Sequence, residues 1–178
     1  MLQLYPFQES PSTRLLTFTG SVVRINSNDL EFEFNISGAT ELVQLTPPTQ
    51  NPSSLRARKD DLWKHTCFEA FFSEDRKDSS PYYEMNCATN GDWNAYILDS
   101  YRQGLRPAAL SANLLDFQAT TGKLHLKIRI RGEDLSRIKH LSLAAVIEFS
   151  DSSKSYFAPK HAGTVADFHL KESFTISL

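Results

Sequence analysis

The chain has 178 residues, 40% of them hydrophobic, with 19 Lys and Arg against 21 Asp and Glu for a formal net charge of −2. This is the composition of one globular domain, residues 1–178, able to bury about 70% of its unfolded surface, and it excludes wholesale disorder. No apolar run approaches the ~18 to 20 residues of a membrane span, and without a basic excess there is no surface for duplex nucleic acid.

Met1–Pro11 lacks the basic and apolar regions of a secretory signal, so a cytoplasmic location is expected. Apolar or β-branched runs follow at Leu15–Phe18 and Val22–Ile25. Leu30–Ile36 then alternates apolar and polar residues without a fault, the period of a strand with one buried face. Leu42–Leu45 reads as another strand. The long loop Thr46–Asp61 holds Pro47, Pro48 and Pro52 with a basic cluster of Arg56, Arg58 and Lys59; its length admits either a binding loop or plain surface. Strands are next expected over Cys67–Phe72, Tyr82–Cys87 and Trp93–Leu98. Leu124–Arg131 repeats the alternation, and Leu141–Glu148 and Phe174–Leu178 complete the series. Ser27–Asp29, Asn90–Asp92, Thr121–Gly122 and Ser150–Ser153 have the polar character of hairpin connectors. Helix is expected only as a turn or two at Ser100–Gly104 and Gly132–Ile138. The pattern predicts an all-β fold, an antiparallel β-sandwich with little helix. Cys67 and Cys87 are too few for a disulfide framework and lack zinc spacing, so both read as buried thiols.

Polar residues concentrate between Asp60 and Arg106. Glu69, flanked by Phe68, Phe71 and Phe72, must point to water or be buried with partners. The two-residue period puts Glu84 and Asn86 on one face of their strand and Tyr83, Met85 and Cys87 on the other. A hairpin through Ser73–Pro81 would bring Glu69, Glu84 and Asn86 to one polar face. Trp63 and Trp93 are candidate aromatic plates, on which the C–H faces of a polyhydroxyl ligand stack while its hydroxyls bond carboxylates and amides. Equally, both tryptophans could be core packing, and Glu69 and Glu84 could be general acid and base. Near the C-terminus, Asp167, His169 and His161 make a conceivable metal set, but their spacing matches no strong zinc pattern, and neither a metal nor a cofactor is expected. The chain contains no nucleophile elbow, P-loop or dinucleotide fingerprint.

The series Leu62–Glu69, Tyr82–Asn86, Gly91–Tyr96 and Tyr101–Gly104, followed by Ser155–His161, Ala166–His169 and Ser173–Ile176, resembles the bacterial DOMON-like domains, relatives of the type-nine carbohydrate-binding modules. The resemblance covers about Asp60 to Leu178. It implies a β-sandwich whose concave face or rim binds a small ligand, a sugar in some members and haem in others. It also implies a binding set in which a tryptophan and a glutamate six residues apart, Trp63 and Glu69 here, act with an arginine and an asparagine, carried onto Arg102 and Asn86. Relatives often have tryptophan before the position of His161, where this chain has Phe157 and Pro159, so Trp93 is the expected substitute plate. Haem members use a Met and His pair; Met85 is the one internal methionine, and the strand period turns it toward the core.

Three functions therefore compete. The first is a non-catalytic module for a carbohydrate or sugar-like metabolite, using Trp63, Glu69, Glu84, Asn86, Trp93, Arg102, His161, Asp167 and His169, with Arg102 as a donor or as a clamp on Glu69. The second is a hydrolase or isomerase in which Glu69 and Glu84 divide acid and base roles. The third is a structural or interaction module in which Glu69, Arg102 and Asp167 form a buried ion network.

Overall fold

A computed structural model describes residues 1–47 and 57–178. Most of the long proline-containing loop, with Pro48, Pro52 and Arg56, lies outside the described residues. Twelve strands occur among the described residues, joined by short 3-10 turns. They are β1 (Leu2–Pro6), β2 (Leu16–Asn26), β3 (Asp29–Gly38), β4 (Cys67–Ser73), β5 (Tyr82–Ala88), β6 (Trp93–Leu98), β7 (Arg106–Pro107), β8 (Ser111–Thr120), β9 (Lys123–Arg131), β10 (His140–Glu148), β11 (Lys154–Ala158) and β12 (Ile176–Ser177).

All the pairings between them are antiparallel, and they build a β-sandwich. One sheet runs β1-β2-β3-β9-β8, and the other runs β7-β6-β5-β4-β10-β11-β1. β1 belongs to both. Its first half pairs with β2, Leu4 opposite Phe18, and its second half pairs with β11, Tyr5 opposite Ala158. The short β12 extends the edge of β10, Leu141 opposite Ile176.

The alternation in β3 explains the first sheet. Leu30, Phe32, Phe34 and Ile36 are buried against the opposing sheet. The polar residues between them meet the basic outer face of β9. Lys127 and Arg129 both pair with Glu31, Lys127 at 2.8 Å, and Arg131 pairs with Asp29 at 2.7 Å. Cross-strand pairs of opposite charge fix the register that keeps the apolar residues inside. Between the sheets, Phe18, Phe34, Phe68 and Phe157 form an aromatic cluster. Phe68 lies 6.0 Å from Phe18 and 5.2 Å from Phe34 between ring centroids.

The second sheet is different, because β4, β5 and β10 are buried along almost their whole length on both faces. Phe68, Ala70 and Phe72 face the inter-sheet core, whereas Phe71, with Tyr82, Tyr96 and Leu98 of the neighbouring strands, belongs to a second apolar cluster on the outer face. The C-terminal segment covers part of that face. Phe168 and Phe174 pack into the cluster, and the buried Lys171 donates to the carbonyl oxygens of Lys77 and Ser80 at 2.5 and 2.7 Å.

Several expectations are corrected. Leu15 ends a 3-10 turn, and residues 16–18 and Val22–Ile25 belong to one long strand, β2. Leu42–Leu45 is a 3-10 turn followed by a single bridge at Val43. Ser100–Gly104 is a tight turn closed by the Ser100 and Gln103 backbones, with Arg102 at φ 53° and Gly104 at φ 70°. Gly132–Ile138 does contain a short 3-10 helix, Glu133–Arg137. The strands β1, β7, β8 and β11 had no clear apolar signature.

Phe68→Ala is expected to cost about 3 to 5 kcal/mol by opening a cavity at the centre of the aromatic cluster. Val23→Ala on the exposed face of β2 should change stability by no more than about 0.5 kcal/mol. Urea unfolding midpoints of the two variants check the contrast.

Candidate functional site

The expected hairpin forms, with Glu69 opposite Asn86 and Phe71 opposite Glu84. Because side chains alternate along a strand, Glu69, Glu84 and Asn86 all emerge on the outer face of the second sheet. All three are buried. They stand at one side of a cavity of about 330 Å³, which Glu69 and Glu84 line directly. Its apolar walls include Phe71, Leu98, Val146 and Phe168, and Trp63, Tyr156 and Arg102 complete the lining toward solvent.

Hydrogen bonding on this floor is uneven. Asn86 Nδ2 donates to Glu84 Oε1 at 2.7 Å, and the Cys67 thiol lies 3.9 Å from Asn86 Oδ1. Glu69 Oε1 is buried without a hydrogen-bond partner. Burial and the neighbouring Glu84 charge push the Glu69 carboxyl well above the ordinary glutamate range, against a small opposing effect of the Cys67 thiol. Burial also raises Glu84, opposed by the Asn86 amide and the Arg102 charge. Removing a carboxylate from water disfavours its charged form, so both groups hold protons more tightly than free glutamate.

A polar relay borders the carboxyl pair. The Arg102 backbone N–H donates to the Tyr82 hydroxyl at 3.2 Å, and that hydroxyl is 2.7 Å from His169 Nδ1. Burial and the Arg102 charge lower the His169 pKa to about 4, so its ring is neutral at pH 7. The other ring nitrogen, Nε2, faces Glu84 Oε2 across 3.9 Å.

Trp63 is half-buried in the 3-10 turn Leu62–Lys64, and its ring meets Tyr96 edge-on at 6.1 Å. Tyr96 and Asn94 are in turn fixed by Asp60, which accepts from the hydroxyl at 2.6 Å and from the amide at 2.9 Å.

The structure thus gathers Trp63, Glu69, Glu84, Arg102 and His169 around one cavity, with Asn86 and Asp167 bonded to members of that set. Two expected members are elsewhere. Trp93 lies on the opposite face of β6 from Asn94 and Tyr96, packed on the inter-sheet core under the Arg58 guanidinium at 4.6 Å. His161 bonds the Tyr5 carbonyl oxygen at 2.9 Å and is not part of the cavity lining. Arg102 does not clamp Glu69. It pairs with Asp167 at 3.0 Å, where Tyr101 also donates at 2.6 Å. The ion network expected among Glu69, Arg102 and Asp167 therefore excludes Glu69. Against the upward push of burial, bonds from Tyr101, the His169 backbone and Arg102 hold the Asp167 carboxyl below its ordinary range.

The walls Phe71, Val146, Tyr156 and Phe168 were missed, as was Tyr82, which bonds the lining residue His169. Period two could have found Phe71 and Tyr82, which share faces with Glu69 and Glu84. Among the described residues, no three His, Cys, Asp or Glu side chains cluster so as to hold a metal ion. Met85 is buried between the sheets. No helix among the described residues is long and apolar enough to cross a membrane.

No family model matches this sequence, and no curated protein matches it. The fold is similar to the crystal structure of a "putative carbohydrate-binding protein" from Bacteroides uniformis ATCC 8492. The TM-score is 0.60 at 10% identity, over 97% of this chain and 84% of that one. At that identity the likeness is one of fold.

The raised Glu69 carboxyl has a consequence for stability. Between the unfolded value near 4.5 and the higher folded value, folding takes up a proton, so this group's contribution falls as pH rises. Glu69→Gln removes that dependence. Its melting temperature relative to the parent is expected to be higher at pH 8 than at pH 5, and thermal unfolding at both values checks the sign.

Proposed function

We propose that this chain is a non-catalytic binding module that holds one small polyhydroxyl molecule, a carbohydrate or sugar-like metabolite, in the cavity lined by Glu69 and Glu84. The observation behind this reading is the buried, unpartnered Glu69 Oε1 at the floor of an aromatic-edged cavity. Leaving a buried acceptor unsatisfied costs about 1 to 3 kcal/mol, which a ligand hydroxyl recovers on binding.

The size also fits. A cavity of about 330 Å³ is at the lower end of the ~300 to 1,000 Å³ range of small-ligand sites, room for one compact molecule. Trp63 and Tyr156 offer ring surface for the C–H faces of a sugar, with Tyr156 in the place expected for Trp93. Glu69 and Glu84 accept from hydroxyls. The resemblance to DOMON-like domains and the fold shared with the Bacteroides protein support the same reading.

A thermal-shift screen against mono- and oligosaccharides tests the proposal. A ligand at 100 times its dissociation constant adds about 2.7 kcal/mol of stability. Trp63→Ala should weaken binding roughly tenfold, a loss of about 1 to 1.5 kcal/mol of stacking. Because Trp63 is on a half-buried turn, the unliganded variant should melt close to the parent. Retained affinity in Trp63→Ala would remove the platform from the site.

A further inference from the structure

The cavity floor is acidic, and the cations around it are spent elsewhere. Arg102 is committed to Asp167 at 3.0 Å, on the solvent side. Lys171, under the Tyr82 ring, directs its ammonium to the Lys77 and Ser80 carbonyl oxygens. His169 has its Nδ1 engaged by Tyr82, and its Nε2 stops 3.9 Å from Glu84. The remaining titratable groups near the pair, Cys67 and Tyr96, are neutral, and the facing stretch of β10, Ser142 to Val146, contributes none.

Two carboxyls thus share one floor, and Arg102, whose charge acts on Glu84, is ion-paired with Asp167 and bonds neither of them. A hydroxyl ligand can donate to each carboxyl but cannot offset their charge. A primary ammonium can do both, with three donors and one positive charge. Apolar walls strengthen such an ion pair by lowering the local dielectric, and the rings of Phe71, Phe168 and Trp63 add attraction for a cation.

We infer that the molecule seated here bears a protonated amine, as an amino sugar does, with its ammonium placed between the Glu69 and Glu84 carboxyls. This inference rests on the binding reading above and narrows it to one charge class.

Titration calorimetry with D-glucosamine, D-glucose, N-acetyl-D-glucosamine and ethanolamine tests it on the intact chain. Glucosamine is expected to bind at least tenfold more tightly than glucose at pH 7, and N-acetylation, which removes the charge, should erase the difference. Glucosamine affinity should fall between pH 7 and pH 5.5, because the carboxyls must ionise to pair with the amine, while glucose affinity should not. Glu69→Gln should weaken glucosamine at least tenfold and glucose by less, so that the preference for the amine shrinks. Glucose binding as tightly as glucosamine would overturn the amine inference and leave the carbohydrate reading standing. Binding of ethanolamine with none of the sugars would do the reverse. Silence to all four probes overturns both.

Discussion

Burial of the second sheet on both faces is the constraint on which the other features depend. A strand with one wet face can place charges there at little cost. β4, β5 and β10 have no wet face along most of their length, so every residue facing outward must be covered or must line a cavity. The covering material is the C-terminal segment. Its attachment explains the otherwise costly burial of Lys171, whose ammonium replaces lost water with two carbonyl oxygens of the β4–β5 connection. Phe168 and Phe174 supply the apolar cover, and the cavity is the part of the face that they leave open.

The same constraint accounts for the electrostatics of the floor. Glu31 on the first sheet is also buried, yet it has Lys127 and Arg129 as partners across the strand, and its carboxyl is held below the ordinary range. Glu69 has no such partner, and burial raises it instead. The chain therefore builds one buried carboxyl that is satisfied and another that is not. Packing cannot explain the second, because an apolar side chain in that position would avoid the penalty. An unsatisfied acid at the floor of a cavity is a feature that function must justify.

Much of this fold was legible in sequence wherever the chemistry was periodic. β3 and β9 stand out because one face is apolar and the other charged. The β4–β5 hairpin was legible because Glu69 interrupts an apolar run and Glu84 and Asn86 alternate with apolar residues at a spacing of two. β8 was not, since an edge strand with few buried residues and an irregularity between Leu114 and Asp116 need not alternate. β1 changes sheets midway, and β11 has five residues, too few to show a period. The site divides in the same way. The floor was legible from strand faces, and Trp93 was misplaced because its aromatic character outweighed its phase, opposite to that of Asn94. The wall from Phe168 depends on how the C-terminal segment folds back, a long-range contact without local pattern, whereas Tyr156 is placed opposite Val146 by the β10–β11 pairing. Arg102 occupies a turn in left-handed conformation, and its choice of Asp167 over Glu69 is likewise a matter of tertiary geometry.

Alternation gives the two faces of each strand separate tasks. In β4, Phe68, Ala70 and Phe72 hold the sandwich together, while Glu69 and Phe71 shape the cavity. In β5, Met85 and Cys87 belong to the core, and Tyr82, Glu84 and Asn86 belong to the site. A substitution at one set moves the other only through the shared backbone. A sandwich can therefore keep its core while the cavity residues change, and the fold alone is what this chain shares with the Bacteroides protein at 10% identity. Under the proposed binding role, the choice of ligand rests with the outer-face residues of β4 and β5 and their C-terminal cover, and not with the fold they stand on.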